Sequence, residues 1–182
     1  PRHKLCGGGL VVDVDTILHN LGLDLNDVPH VDATWAHLNF QGRGTRTRPH
    51  GDIAFHVVRR REFDHWLADR VRDTGVPIHE HTEVLALHRH PDHVVVETSR
   101  GTFRARAVIG ADGTKGVVRR TIAGDSGAMA RLLEVMIPPP ASGDVPPDEA
   151  VFDFRHIPHG VQGYYWSFPM VIEGRTMRNL GI

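Results

Sequence analysis

Glycine and proline place the tightest constraint on this chain. Its 19 glycines and 12 prolines interrupt the apolar segments so often that few are long enough for a helix. The clearest helical spacing is at Arg61–Thr74. There Phe63, Trp66, Leu67 and Val71 share one face, Asp and Arg occupy the other, and Gly75 and Pro77 close the segment. A second helix is expected over Leu10–Leu21, with Leu10, Val14, Ile17, Leu18 and Leu21 at helical spacing and Gly22 as its stop. A third is expected over Lys115–Ile122.

The remaining segments read as strands. Residues 30–41 and 52–59 flank a Gly/Arg/Thr loop at Gln41–Gly51. Thr82–His90, His93–Ser99 and Thr102–Ala107 form a three-stranded meander with a turn at Pro91-Asp92. Ala107–Asp112 reads as a short apolar strand ending in Asp-Gly. Residues 138–148, with five prolines, read as a surface linker or lid, and strands resume at 150–157, 162–168 and 170–182. This mixture predicts an α/β (α+β) fold with an inserted antiparallel meander and a second, mostly antiparallel sheet.

Charge and cysteine content remove several function classes. The 21 basic and 22 acidic side chains leave a net charge of −1, which offers no footprint for nucleic acid. One cysteine supports neither an intrachain disulfide nor a Cys-based zinc finger, and it suits a reducing compartment. The apolar runs are shorter than a membrane helix requires. The chain begins at Pro1 and ends within an apolar, strand-like run at Ile182, so we expect the middle section of a longer protein.

Four places carry residue types suited to chemistry. Gly7-Gly8-Gly9 after Cys6 allows backbone N–H groups to approach an anion or a flat ring without a Cβ in the way. Arg60, where a strand feeds the amphipathic helix, suits a phosphate. Asp112-Gly113 ends an apolar segment where nucleotides sit in open α/β sheets, with Arg119 beyond it. In Tyr164–Pro169, strand alternation places Tyr164, Trp166 and Phe168 on one face as an aromatic wall. Gly124–Gly127 with Ala36-His37 has the look of a serine-protease remnant, but the helix between them rejects that fold. The histidine clusters His79/His81, His88/His90/His93 and His156/His159 read as solvated side chains, and no metal is expected.

In order along the chain, Lys4-x-Cys6-Gly-Gly-Gly-Leu10, Arg60-x-x-Phe63-Asp64-x-x-Leu67, Gly110-Ala-Asp-Gly113 and Tyr164-x-Trp166-x-Phe168-Pro169 resemble the geranylgeranyl reductase family. These are FAD-dependent oxidoreductases on the p-hydroxybenzoate hydroxylase-like fold. The resemblance implies FAD as cofactor, with NAD(P)H or ferredoxin as electron donor, and reduction of C=C bonds in a polyprenyl chain. It places Cys6, Gly7, Gly8 and Leu10 against the flavin, with Cys6 catalytic. Arg60 falls at the phosphate or ribose region, Val84 at the adenine, and Asp112 and Gly113 at the ribose–pyrophosphate side. Tyr164, Trp166 and Phe168 line the prenyl channel.

The resemblance further implies a partial FAD-binding domain over residues 1–125, interrupted by substrate-domain strands near 30–59. A partial substrate domain covers residues 126–182. The family's Gly-x-Gly-x-x-Gly strand–helix unit is expected before Pro1. A cytoplasmic location is expected, with peripheral membrane contact favoured by a lipid substrate. The rival readings are a flavin monooxygenase or halogenase of the same fold, and a non-enzymatic binding module.

Overall fold

The computed structural model describes residues 2–41, 43–48, 52–124, 131–141, 143 and 145–182. In chain order the first elements are β1 (Gly9–Val11), α1 (Asp13–Asn20), β2 (His30–Ala33), β3 (Trp35–Phe40), β4 (Arg43–Thr47), β5 (Phe55–Val58) and α2 (Arg60–Asp73). Then follow β6 (Val84–Arg89), β7 (Val94–Thr98), β8 (Gly101–Ala105) and α3 (Val117–Ala123). The last four are β9 (Glu134–Ile137), β10 (Glu149–Asp153), β11 (Tyr165–Ile172) and β12 (Arg175–Gly181). The chain divides into two compact units, Pro1–Thr74 with Ala130–Ile182, and Gly75–Met129.

The first unit holds two sheets. One is antiparallel, in the order β1-β5-β2; the other has the order β4-β3-β10-β11-β12-β9, in which only β3 and β10 run parallel. The single strand expected over 30–41 is therefore two. The chain changes sheets at Thr34, where the N–H groups of Thr34 and Trp35 both donate to the Asp148 carbonyl. β5 is buried along its whole length because it is covered on both sides. Phe55 and Val57 join Ala33, Ala150, Trp166, Phe168 and Met170 in one cluster. Val58 joins Leu18, Leu25, Val28 and Phe63 in the other.

Several boundaries differ from the sequence reading, for local reasons. α1 begins at Asp13, because Leu10 is drawn into β1 opposite His56; Leu18 is buried, whereas Ile17 and Leu21 face solvent. α2 matches its expected span within a residue, and Phe63 is its buried anchor. β4 stands where a loop was expected. All five of its residues are exposed, so it carries no apolar alternation to announce a strand. β11 runs through Pro169 instead of stopping there. Its ladder to β10 ends at Ser167, so no β10 partner is opposite the proline. The reversal comes instead at Glu173-Gly174, both at positive φ (51° and 74°), which suits a tight hairpin. β10 is shorter than expected, and Ile157–His159 form a 3-10 turn. β9 was not expected at all.

The second unit is the expected antiparallel meander β6-β7-β8, together with α3. Residues 107–112 are not a strand, and Ile109 is 93% exposed. An apolar run becomes a strand only beside a ladder partner, and among the described residues this one has none. Within the proline-rich 138–148 segment the described residues form no helix or strand, but its end is pinned. Pro146 O accepts from Glu149 N–H, and the Asp148 carbonyl from Thr34 N–H. Asp125, Ser126 and Gly127 lie outside the described residues.

Arg178 ties the six-stranded sheet together from inside. It is buried, and its guanidinium donates to Ser167 Oγ (3.1 and 2.9 Å), Ser167 O (2.6 Å) and Glu149 O (2.9 Å). Burial pulls its pKa below the ordinary arginine value, against the opposing attraction of Glu149. Glu149 is in turn held by Arg46 at 2.6 Å and His37 at 3.3 Å. Arg178→Lys keeps the charge and loses the fork of donors. We expect it to lower stability by about 1–2 kcal/mol in urea unfolding. An unchanged midpoint would mean that the sheet does not depend on this fork.

Candidate functional site

The strand register determines which side chains meet. Trp166 is opposite Phe152 on β10 and Gly181 on β12; Phe168 is opposite Asn179; and Gly181 and Asn179 are opposite Glu134 and Met136 on β9. One face of the sheet therefore carries Phe152, Trp166, Phe168, Asn179 and Glu134. Tyr164, just before β11, extends the aromatic row, with ring centroids 6.3 Å from Trp166 to Tyr164 and 6.4 Å from Trp166 to Phe168. Phe55 adds its edge to Phe168 at 5.3 Å.

The segment Cys6–Gly9 lies against this face. A Cβ on Gly7 would stand 2.9 Å from the Phe168 ring, so backbone meets aromatic with nothing between. The segment and the wall enclose a largely apolar cavity of about 350 Å³ lined by Cys6, Gly7, Gly8, Gly9, Phe152 and the aromatic row. A larger cavity of about 560 Å³ lies beside the opposite side chains, Tyr165, Ser167, Val151 and Leu180, and does not border Cys6. Chemistry at the thiol requires the smaller one.

A buried polar chain holds Cys6 in place. Asn179 is fully buried; its Oδ1 accepts from Trp166 Nε1 at 2.8 Å, and its Nδ2 donates to Cys6 O at 3.1 Å and Glu134 Oε1 at 2.7 Å. The second carboxylate oxygen of Glu134 accepts from Cys6 N–H at 2.9 Å. An indole N–H can only donate, which assigns the orientation of the amide. The Cys6 thiol is free and half-buried; Arg60 Nη1 is 3.7 Å from Sγ and Gly8 N–H is 3.5 Å away.

Arg60 opens α2 and is gripped by Asp64 through Nε at 2.7 Å and Nη2 at 3.1 Å. Burial works against its charge, yet the hydrogen bond and attraction of Asp64, then those of Cys6, outweigh this and raise its pKa. Lys4, Arg59, Arg60 and Arg61 border a separate cavity of about 50 Å³ that also touches Cys6.

Of the residues singled out in the sequence, Cys6, Gly7, Gly8, Tyr164, Trp166 and Phe168 meet around one cavity, with Arg60 next to Cys6. Leu10 instead packs on the helical cluster of Leu18 and Val58. Val84 begins β6, and Asp112 accepts from Val118 N–H at 2.8 Å in the first turn of α3; both belong to the second unit, as does Gly113. Glu134 and Asn179 were missed. Glu134 carried a signal, one acidic side chain in the apolar run Leu132-Leu133-Glu134-Val135; Asn179 carried none, because Arg175-Thr-Met-Arg-Asn-Leu-Gly181 mixes polar and apolar residues.

The FAD binding domain family model matches residues 21–164. The chain belongs to this family. A relative from Methanosarcina barkeri, itself uncharacterized, is 28% identical over 93% of this chain and 42% of its own length. Among solved structures, a geranylgeranyl bacteriochlorophyll reductase-like protein from Thermoplasma acidophilum superposes with a TM-score of 0.72 at 23% identity, covering 98% of this chain and 46% of that one. 2-Methyl-3-hydroxypyridine-5-carboxylic acid oxygenase gives 0.70 at 17%, over 98% and 48%. HpxO from Klebsiella pneumoniae, complexed with FAD and uric acid, gives 0.67 at 14%, over 98% and 48%. These structures share the fold. The chain spans less than half the length of the relatives it matches.

The residues of this FAD-binding domain chain fit the cofactor on two physical counts. Three consecutive glycines border the cavity of about 350 Å³, so no Cβ bars a flat ring there from their backbone. The cations around the N-terminus of α2 suit a pyrophosphate. No helix among the described residues is long and apolar enough to cross a membrane.

Proposed function

We propose that the protein containing this chain is an FAD-dependent oxidoreductase that reduces C=C bonds of a polyprenyl chain. The observation that carries this reading is the largely apolar cavity bordered by both Cys6 and the aromatic row. An isolated alkene has no polar handle. Its reduction therefore depends on a dry slot that aligns the chain, with a proton donor within reach. Bound FAD, recharged by NAD(P)H or ferredoxin, supplies the hydride, and one proton completes each saturated C–C bond.

The chain's own residues supply the rest. Tyr164, Trp166 and Phe168 hold the prenyl chain and exclude water, and Cys6 stands at the reacting carbon. Gly7, Gly8 and Leu10 lie on the flavin side, Arg60 meets the phosphate or ribose region, Val84 the adenine, and Asp112 and Gly113 the ribose–pyrophosphate. In this reading residues 1–125, apart from strands near 30–59, belong to the FAD domain and 126–182 to the substrate domain. The enzyme works in the cytoplasm at the membrane periphery, where its lipid substrate resides.

The test is anaerobic turnover of the full-length protein with reduced flavin and a geranylgeranyl lipid, read as a mass gain of two hydrogens per bond reduced. We expect Tyr164→Ala to raise KM about fivefold, the loss of roughly 1 kcal/mol of aromatic contact, with flavin content unchanged. Purified protein without flavin absorbance would end the reading. Oxygen-dependent hydroxylation of an aromatic substrate, with no prenyl reduction, would favour the monooxygenase rival.

A further inference from the structure

On the opposite face of β5 from the aromatic row, the β2–β5 register places Asp32 directly across from His56. His30 is two residues before Asp32 on β2 and therefore shares its face. His30, Asp32 and His56 each offer one ligand atom, and these atoms all lie within 4.8 Å of one another. His30 Nε2 is 3.4 Å from Asp32 Oδ1, and His56 Nδ1 is 2.7 Å from the same oxygen.

Each outer nitrogen faces an acceptor. His30 Nδ1 lies 2.9 Å from the Val28 carbonyl, which can only accept, so this nitrogen carries the proton and Nε2 is bare in the neutral ring. His56 faces a carboxylate oxygen at each nitrogen, Asp15 Oδ2 at 3.0 Å from Nε2 and Asp32 Oδ1 at 2.7 Å from Nδ1; the tautomer that donates from Nε2 to Asp15 leaves Nδ1 bare. In that tautomer two imidazole lone pairs and a carboxylate oxygen converge with no donor between them, and a cation relieves their repulsion. A histidine oriented by a carboxylate or carbonyl on its far nitrogen is the arrangement metal-binding imidazoles adopt.

We propose that His30 Nε2, Asp32 Oδ1 and His56 Nδ1 bind a divalent cation of the zinc class, with Asp15 orienting His56. Bonds of about 2.0–2.1 Å in tetrahedral geometry set ligand–ligand edges of roughly 3.3 Å, close to the His30–Asp32 separation. The Asp32–His56 pair opens slightly to accept the ion. Two nitrogens and one carboxylate suit zinc, cobalt or nickel over magnesium or calcium. Three protein ligands leave a fourth position open toward an adjoining cavity of about 390 Å³, bordered by Leu18, Leu23, Asn26 and Ile53. The site joins α1, β2 and β5 on the side of β5 away from Cys6, and its existence does not depend on the flavin reading.

The test titrates the metal-stripped full-length protein with Zn²⁺ against a chromogenic chelator and repeats it with Co²⁺, whose visible bands report tetrahedral coordination. One equivalent is expected to bind with micromolar or tighter affinity. His30→Gln and Asp32→Asn should each weaken it at least ~10-fold, and Asp15→Asn about 10-fold by releasing His56. Glutamine keeps an N–H donor for the Val28 carbonyl, so His30→Gln should melt within a few degrees of the parent without metal, which separates a lost ligand from a lost fold. No binding at ~100 µM Zn²⁺, far above the affinity expected of such a site, would overturn the proposal in favour of a protonated His56 between two carboxylates. Equal binding by the parent and His30→Gln would overturn it too, by placing the ion at another histidine cluster.

Discussion

Gly8→Ala is expected to destabilise the chain by roughly 3–5 kcal/mol and to abolish any flavin binding that depends on the Cys6–Gly9 segment. Gly8 sits at φ +79°, where a side chain is strained, and an added Cβ would stand 2.0 Å from the Val58 carbonyl oxygen. That oxygen is backbone of the fully buried β5, so it has no room to retreat. The shift would also strain the Val58 N–H bond to Gly8 O, 3.0 Å long, which docks the segment on β5. Gly22→Ala is the control. Gly22 has a similar φ of +71° and nothing within 4 Å of an added Cβ, so only the backbone strain of about 1 kcal/mol applies. Urea unfolding followed by tryptophan fluorescence reads both. Equal losses for the two variants would show that the close approach to Val58 is irrelevant.

Asn179→Leu is expected to lower stability by roughly 3 kcal/mol, although the two side chains are similar in size. The change leaves the Trp166 N–H, the Cys6 carbonyl and one Glu134 oxygen without the partner each has now. The Trp166–Asn179 bond is buried, so water cannot replace the amide there without opening the aromatic cluster. Adding Trp166→Phe removes one orphaned donor, so the double variant should be less unstable than the two single losses combined, by about 1 kcal/mol. Strict additivity would argue against the network. A second readout follows from the same geometry: with the Cys6 backbone released, its thiol should react faster with an aromatic disulfide under folding conditions.

Elements with a local signature were legible in the sequence. α2 has an apolar stripe and a glycine stop, and the meander has alternation punctuated by turns; both stand where expected. The aromatic row follows from period-two spacing alone, and its rings lie along one face, edge-on or tilted to one another. Elements defined by distant partners were not legible. Leu10 joined β1 because β5 offered an edge, β4 formed without an apolar pattern because β3 paired it, and residues 107–112, with no ladder partner among the described residues, stayed irregular. The candidate site divides in the same way. Cys6 and the glycines announced themselves as a motif, whereas Glu134 and Asn179 are 128 and 173 residues from Cys6 in sequence and reach it only through the β11–β12–β9 register.

By itself the sequence determined the class of fold, the helix at Arg61–Thr74, the aromatic face and the ordered motifs behind its family resemblance. These rest on backbone propensity and periodicity, which act over a few residues. Only the tertiary structure decided that the Cys6–Gly9 backbone closes on that aromatic face, that Asn179 and Glu134 hold it there, and that His30, Asp32 and His56 converge across two strands. Long-range strand pairing sets those neighbours. A one-residue slip in either register would turn every one of these side chains to the opposite face.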